Sequence, residues 1–298
     1  MVLLVSNKCD LMLNYSDWVF NRLTNGRISR PAKNGTEKAV DFTPQNVDCV
    51  VFKTRNPIPL LNKVSSLQYL NYKCVYDIYL SPYDETIEQN IGTKREILFA
   101  IRKLSDKVGS DKVYWHYSPL FLSDKYTVEF HQKSIKSLCR ALKGKCKSVI
   151  IDALKPTYKT QVDFKLIDGQ EYARFIFSLI NIVTAEGFDV IVNFDDQSDK
   201  RGYFVDMIYE TYGIDTSKKA YIDLGMDDAC CGNCLYCSKR DNFKAEKILS
   251  THNPNNLKLD GSSKLLPRKT KTKTKYNSKN QYQLSMWYSW QVMKFALL

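Results

Sequence analysis

Seven short runs rich in β-branched and aromatic residues, separated by longer stretches of helical period, constrain this chain more than any other feature. The runs are Val2–Ser6, Val47–Thr54, Cys74–Ser81, Val113–Leu122, Ser148–Leu154, Asp189–Phe194 and Ala220–Gly225. Runs of this kind, flanked by turn-forming residues, read as strands. Between them, Ser16 caps a helix carrying Val19, Phe20 and Leu23 on one face. Ile87 to Val108 carries Ile91, Ile97, Leu98, Ile101 and Leu104, and Tyr126 to Leu142 carries Val128, Phe130, Ile135 and Leu138. Tyr172 to Glu186 and Arg201 to Tyr212 each stop at a glycine, Gly187 and Gly213, which suits a left-handed C-terminal cap. Strand–helix alternation repeated this often predicts parallel strands joined by right-handed crossovers. The expected fold is α/β: a (β/α) barrel, complete or partial, with an open doubly wound sheet as the alternative. Thr24 to Gln45, with its Gly, Pro, Asn and Lys, reads as a loop region before the second strand.

Hydrophobic residues make up 44% and charged residues 26% of the 298 positions, the balance of a folded chain rather than a disordered one. No apolar run approaches the roughly 18 residues of a membrane span. Met1 to Asp10 lacks a basic leader and apolar core, so no secretory signal is expected. Nine cysteines without framework spacing point to a reducing compartment, and the cytoplasm is the expected location. The net charge of +12 is uneven: Lys264 to Leu298 holds eight Lys or Arg and no Asp or Glu, which leaves +4 for the rest. We therefore expect a barrel-like domain over 1–262 and a basic tail over 263–298. The tail reads first as a solvated charge run; its functional alternative is to neutralise the phosphates of a nucleic acid. No membrane partner is expected.

Directly after the seventh run comes Met226-Asp227-Asp228-Ala229-Cys230-Cys231-Gly232-Asn233-Cys234-Leu235-Tyr236-Cys237. Four of the nine cysteines fall inside eight residues. Thiolates so crowded repel one another unless a soft metal or cluster takes up their charge. A structural zinc site normally uses two separated pairs, and here only Cys139, Cys146 or His252 would complete one. Cys230, Cys234 and Cys237 form C-x3-C-x2-C with Tyr236 just before the third cysteine. This resembles the signature of radical S-adenosylmethionine enzymes. In them three thiolates hold three irons of a 4Fe–4S cluster, and the fourth iron stays open for the amino and carboxylate groups of S-adenosylmethionine. Cys231 offers a competing C-x2-C-x2-C, but adjacent cysteines do not easily ligate one cluster, and Cys230 keeps the spacing.

Further segments extend the resemblance: Val47-Asp48-Cys49-Val50-Val51-Phe52, Thr54-Arg55-Asn56-Pro57, Leu80-Ser81-Pro82-Tyr83, Trp115-His116-Tyr117-Ser118-Pro119, His252-Asn253-Pro254 and Gln283-Leu284-Ser285. Together they resemble the bacterial family called domain of unknown function 1848, whose members carry the cysteine cluster near the C-terminus. The matching segments run from Val2 to about Trp287. Two departures stand out. Ser6-Asn7-Lys8-Cys9-Asp10 replaces the family's Ser-Arg-Arg-Thr-Asp, and Trp115-His116-Tyr117-Ser118-Pro119 replaces its Trp-Arg-Tyr-Asp-Pro.

In ordinary radical S-adenosylmethionine barrels the cysteine loop follows the first strand; here it follows the last. If the barrel brings its ends together, Ala220–Gly225 plays the usual first strand and Val2–Ser6 the usual second. The resemblance then implies that Asp10 lies beside the cluster and accepts a hydrogen bond from the cofactor's amino group. Asn56, Ser81 and His116, at the next strand ends, would face ribose or substrate. Each has a structural alternative: a helix cap for Asp10, a turn for Asn56-Pro57, a satisfied core position for His116. Cys9, Cys49 and Cys74 read as small buried hydrophobes, and Asp195-Asp196 and Asp227-Asp228 as loop ends. None of the twelve glycines forms a G-x-G pair, and neither H-E-x-x-H nor G-x-S-x-G occurs. No residue stands out as catalytic.

The resemblance implies an iron–sulfur enzyme that cleaves S-adenosylmethionine reductively, on a substrate the sequence does not specify, with electrons from a donor such as flavodoxin or ferredoxin. The alternative is a non-catalytic protein whose cysteines hold zinc or an inert cluster, contacting nucleic acid through its tail.

Overall fold

The computed structural model describes residues 2–5, 10–31, 37–88, 91–153, 165, 169–193 and 221–223. The chain runs β1 (Val2–Val5), α1 (Leu11–Asn25), β2 (Arg27–Pro31), β3 (Glu37–Asp41), β4 (Cys49–Thr54), α2 (Ile58–Leu61), α3 (Val64–Tyr69), β5 (Cys74–Tyr79), α4 (Lys94–Val108), β6 (Val113–Leu120), α5 (Val128–Leu142), β7 (Ser148–Ala153), α6 (Gly169–Ala185), β8 (Asp189–Asn193) and β9 (Tyr221–Asp223). Seven strands form one parallel sheet in the order β8-β7-β6-β5-β4-β1-β9. All seven runs read from the sequence supply one strand each.

Side-chain alternation along these strands decides between barrel and doubly wound sheet. Leu3, Val5, Val50, Phe52, Tyr76, Ile78, Val113, Trp115, Val149 and Ile151 pack in one core with Leu11 and Val19 of α1, Leu60 of α2, Leu67 of α3, Ile97 and Ile101 of α4, Ile135 of α5 and Leu179 of α6. The alternate positions, Val2, Leu4, Cys49, Val51, Val75, Tyr114 and Ile150, form a second core that contains no helix residue. Every described helix thus covers the same face, whereas a doubly wound sheet has helices on both. The strand order also advances in one direction from β4 to β8, as in a (β/α) barrel. Among the described residues β8 and β9 do not pair, so the barrel is partial.

Three local expectations are corrected. The segment 24–45 is not loop throughout, because β2 and β3 pair as an antiparallel hairpin with Arg27 opposite Asp41 and Ile28 opposite Val40. Its Gly, Pro and Lys hid a short two-stranded pairing. The first helix is capped by Asp10 rather than Ser16: Asp10 Oδ1 accepts the Leu13 N–H at 3.1 Å. Ser16 lies inside that helix. The helix expected from Ile87 starts at Lys94, where Thr93 and Glu96 form a reciprocal capping box. Ile87 instead packs with Tyr83, Phe121 and Tyr126 under a loop; apolar spacing alone does not separate a packed loop from a first helical turn. The helix read at 201–212 and the domain boundary near 262 lie outside the described residues. Among those described, no helix is long and apolar enough to cross a membrane.

One buried histidine on α5 makes the fold pH-sensitive. His131 Nε2 lies 2.8 Å from the Phe121 carbonyl oxygen, which only accepts, so this nitrogen carries the proton. Nδ1 therefore accepts the Tyr117 hydroxyl, also at 2.8 Å. Burial disfavours the charged ring and lowers its pKa from 6.5 to about 4. Between those values the unfolded chain binds a proton that the folded chain does not. This group's contribution is full above pH 6.5 and falls away as pH drops toward 4, by about 3 kcal/mol. We expect chemical denaturation to show that loss, and His131→Gln to flatten the slope; an unchanged slope in the variant refutes the assignment.

Candidate functional site

In a parallel barrel the C-terminal strand ends share one rim, and the loops that leave them carry polar side chains. Here a continuous polar chain crosses that rim from β1 to β6. It starts at Asp10, buried at the junction of β1 and α1. Besides capping α1, its carboxylate accepts the Thr54 hydroxyl at 2.9 Å and the Arg55 backbone N–H at 2.7 Å. Asp10 thereby ties the start of α1 to the end of β4. Burial pushes its pKa up, against the pull of those donors.

From β4 the chain passes to β5. Thr54 Oγ1 accepts the Asn56 N–H at 3.1 Å. The Asn56 amide donates to the Ile91 carbonyl at 2.9 Å and accepts the Ile58 N–H at 3.0 Å. The Arg55 guanidinium reaches Glu88 Oε1 at 2.6 Å, and Lys94 pairs with the other oxygen of the same carboxylate. Glu88 is buried, a charge held inside because two cations compensate it. Lys94 Nζ also approaches the Ser81 hydroxyl at 3.5 Å, and the Tyr83 N–H points to that hydroxyl at 3.4 Å.

The chain ends in the barrel interior. Lys53, Asp77 with Tyr79, and His116 with Ser118 continue the alternation of Val51, Val75 and Tyr114, so they lie on the face that none of the described helices covers. Arg55 sits over the Tyr79 ring at 5.5 Å. Tyr79 in turn stacks on His116 with centroids 4.3 Å apart and planes 18° from parallel. His116 Nδ1 lies 3.1 Å from Asp77 Oδ1.

Of the residues singled out from sequence, Asp10, Asn56, Ser81 and His116 all belong to this one network. Asp10 and Asn56 have their polar atoms engaged in loop architecture, matching the structural alternatives raised for them. Arg55, Asp77, Tyr79, Glu88 and Lys94 were not singled out as site residues. Asp77 had a signal, being the one charge inside the apolar run Cys74–Tyr79; Glu88 and Lys94 had none, because their pairing joins a loop to a helix start. Cys49 is buried and Cys74 partly so, and burial raises both thiols, Cys74 to about 12. Cys139 and Cys146 are likewise pushed to about 12. These four thiols are protonated hydrophobes at neutral pH.

Cys9, Cys230, Cys231, Cys234, Cys237 and His252 lie outside the described residues, as do Asp195-Asp196 and Asp227-Asp228. Among those described, no cluster of His, Cys, Asp and Glu suits a metal ion. The strand that leads to the cysteine run is described: β9 pairs in parallel with β1, with Val2 opposite Tyr221 and Leu4 opposite Asp223. The last strand therefore lies beside the first, as the permuted arrangement requires, and Cys230 follows seven positions after β9 ends. The donor set would also fit an open-site cluster, since three of the four thiolates of the run, one on each of three irons, would leave the fourth iron without a protein ligand.

The family described as domain of unknown function DUF1848 matches residues 2–201. The chain belongs to that family. The match ends before the cysteine run, so the C-terminal motifs that resemble the family lie beyond it. No curated protein matches the chain. Among solved structures the likenesses are weak. Spore photoproduct lyase complexed with its dinucleoside photoproduct gives a TM-score of 0.34 at 13% identity, over 48% of this DUF1848 chain and 50% of the lyase. SuiB of Streptococcus suis gives 0.28 at 11% identity, over 64% and 48%. HydG, a maturase of the FeFe-hydrogenase, gives 0.33 at 10% identity, over 85% and 69%. This chain thus spans about half the length of the lyase.

The polar chain makes a direct prediction. Asp10→Ala removes a helix cap and leaves the Arg55 N–H without its acceptor, while the Thr54 hydroxyl keeps the Asn56 carbonyl, so it should cost about 2 kcal/mol in urea denaturation. Asp10→Asn keeps one acceptor, enough for the Leu13 and Thr54 donors, but turns its NH2 toward the Arg55 N–H, so it should cost less than Asp10→Ala by about the worth of the cap, ~1 kcal/mol. Equal losses in the two variants contradict the capping role.

Proposed function

We propose that this DUF1848 protein is an iron–sulfur enzyme similar to radical S-adenosylmethionine enzymes. Cys230, Cys234 and Cys237 would hold a 4Fe–4S cluster, with Cys231 a spare thiol. The observation that carries this reading is the pairing of β9 with β1. It brings the strand that leads to the cysteine run next to β1, the strand that precedes Asp10 in the chain. A cluster held by three thiolates supplies one electron and an open iron for the methionine moiety of S-adenosylmethionine. What the chain itself contributes is a preorganised frame: Asp10 and Thr54 fix two neighbouring strand ends, and Arg55, Glu88 and Lys94 fix the next. The apolar layer of Val51, Val75 and Tyr114 beneath the rim excludes water from below. An electron donor such as flavodoxin or ferredoxin would complete the reaction.

The test is anaerobic reconstitution of the full chain, followed by iron and sulfide analysis and electron paramagnetic resonance of the reduced protein. We expect about four irons per chain and a spectrum altered by S-adenosylmethionine. Cys230→Ala, Cys234→Ala or Cys237→Ala should each abolish that iron content, while Cys231→Ala keeps it. Zinc in place of iron refutes the reading. A cluster whose spectrum ignores S-adenosylmethionine refutes its catalytic part.

A further inference from the structure

Positive charge in the body of this chain is gathered on one wall. From the start of α4 to the residue before β7, positions 94–147 hold thirteen Lys or Arg and five Asp or Glu, an excess of eight. Residues 1–263 together carry only +4, so the remainder of them is net acidic by four. On α5, Lys133, Lys136, Arg140 and the C-cap residue Lys143 recur at intervals of three and four, which puts them on one side of the helix over about 15 Å. All four are exposed. Arg102, Lys103 and Lys107 lie on the exposed side of α4. The two helices meet at their ends: the Arg102 guanidinium donates twice to the Ala141 carbonyl of α5, at 2.9 and 2.7 Å, and Lys145 pairs with Asp106 at 2.6 Å.

Helix electrostatics account for part of this pattern. Lys107 and Arg140 stand in the last turns of α4 and α5, where a cation complements the helix dipole. Lys103, Lys133 and Lys136 lie before those turns, and the dipole gives no reason for them. Ion pairing adds little: Arg140 stays 65% exposed beside Glu186 at 3.3 Å, and Glu129, one turn before Lys133, is itself exposed. The wall also lacks what other partners need. A protein interface is built on an apolar centre, and a helix lying on lipid sinks an apolar face into it. Ile135, Cys139 and Leu142 of α5 are turned into the core. Of the large hydrophobics exposed among the described residues, only Phe99 is on α4 or α5, and Lys103 Nζ lies 5.6 Å from its ring centroid. A nucleic acid needs no apolar centre: its regularly spaced phosphates are met by regularly spaced cations, and an exposed ring among them can stack on a base.

We propose that the outer wall formed by α4 and α5 binds the phosphate backbone of a nucleic acid, without regard to its sequence. Lys133, Lys136 and Lys143 meet phosphates from α5, and Lys103 does so from α4. The surface lies on the folded body and not in residues 263–298. It faces outward, away from the barrel interior, and is measured on the chain without iron, so this proposal and the cluster assignment fail separately.

The experiment is fluorescence anisotropy of the full chain with a labelled DNA duplex of about 20 base pairs and a labelled RNA of about 20 nucleotides, at about 50 and 200 mM KCl. With about four phosphate contacts, affinity for at least one probe should fall roughly 50–150-fold across that range. The combined variant Lys133→Gln, Lys136→Gln and Lys143→Gln should weaken binding roughly tenfold or more at the lower salt and flatten the salt dependence by about three contacts. Glutamine keeps the helix at these exposed positions, and an unchanged thermal midpoint shows that the loss is one of binding. A second full-length variant, Lys269→Gln, Lys271→Gln, Lys273→Gln and Lys275→Gln, removes charge from the tail instead. Unchanged affinity in the α5 variant overturns the proposal, whether the tail variant then loses binding or not. So does failure to bind either probe, including when vesicles of phosphatidylcholine and phosphatidylserine are bound instead.

Discussion

The first strand of the chain is an interior strand of the sheet, and the rest of the architecture depends on that constraint. β1 takes β4 on one side and β9 on the other, and all four of its residues are buried. Parallel pairing forces every strand to end on the same rim. The junctions after β1, β4, β5 and β6 are thus neighbours although they are far apart in sequence. Because the described helices all cover one face, the other forms an interior among the described residues, apolar below and polar at the rim.

On that rim the polar groups form a relay of contacts in which each side chain fixes the next. Asp10 holds Thr54 and the backbone of Arg55; Arg55 holds Glu88 and covers Tyr79; Tyr79 stacks on His116; Asp77 holds its Nδ1. Most of these groups are buried, where an unmade bond costs more than a made bond gains. Such a network holds its loops to a narrow set of geometries, which is what a site that must align a cofactor with a substrate needs. The cation count at Glu88, one carboxylate between Arg55 and Lys94, leaves the rim with surplus positive charge at that point.

Much of this was legible in the sequence, and the reasons differ by element. The seven strands were readable because each is a short buried run with turn chemistry at its ends. The strand-end rule then led to Asn56, Ser81 and His116 without any contact information. The cap at Asp10 was read two ways because Asp10 and Ser16 are both good cap residues, and only the position of the preceding strand end separates them. The hairpin of β2 and β3 escaped because Gly, Pro and Lys mark turns and short edge strands alike. Thr93-Lys94-Arg95-Glu96 carries a capping-box pattern in plain view, yet the apolar spacing of Ile87 and Ile91 outweighed it. Glu88 was not legible at all, since its partners lie 33 positions before it and six after.

The place of β1 also has a consequence for how the chain is made. Its β4 partner emerges soon after it, but its β9 partner waits for residue 221. At a synthesis rate of about 5–20 residues per second, that edge stays open for roughly ten to forty seconds on the ribosome. Through that interval Val2–Val5, already docked to β4, shows a row of unpaired backbone N–H and C=O groups to any passing strand. Until β9 arrives, the open edge of β1 is therefore a place where the nascent chain can mispair.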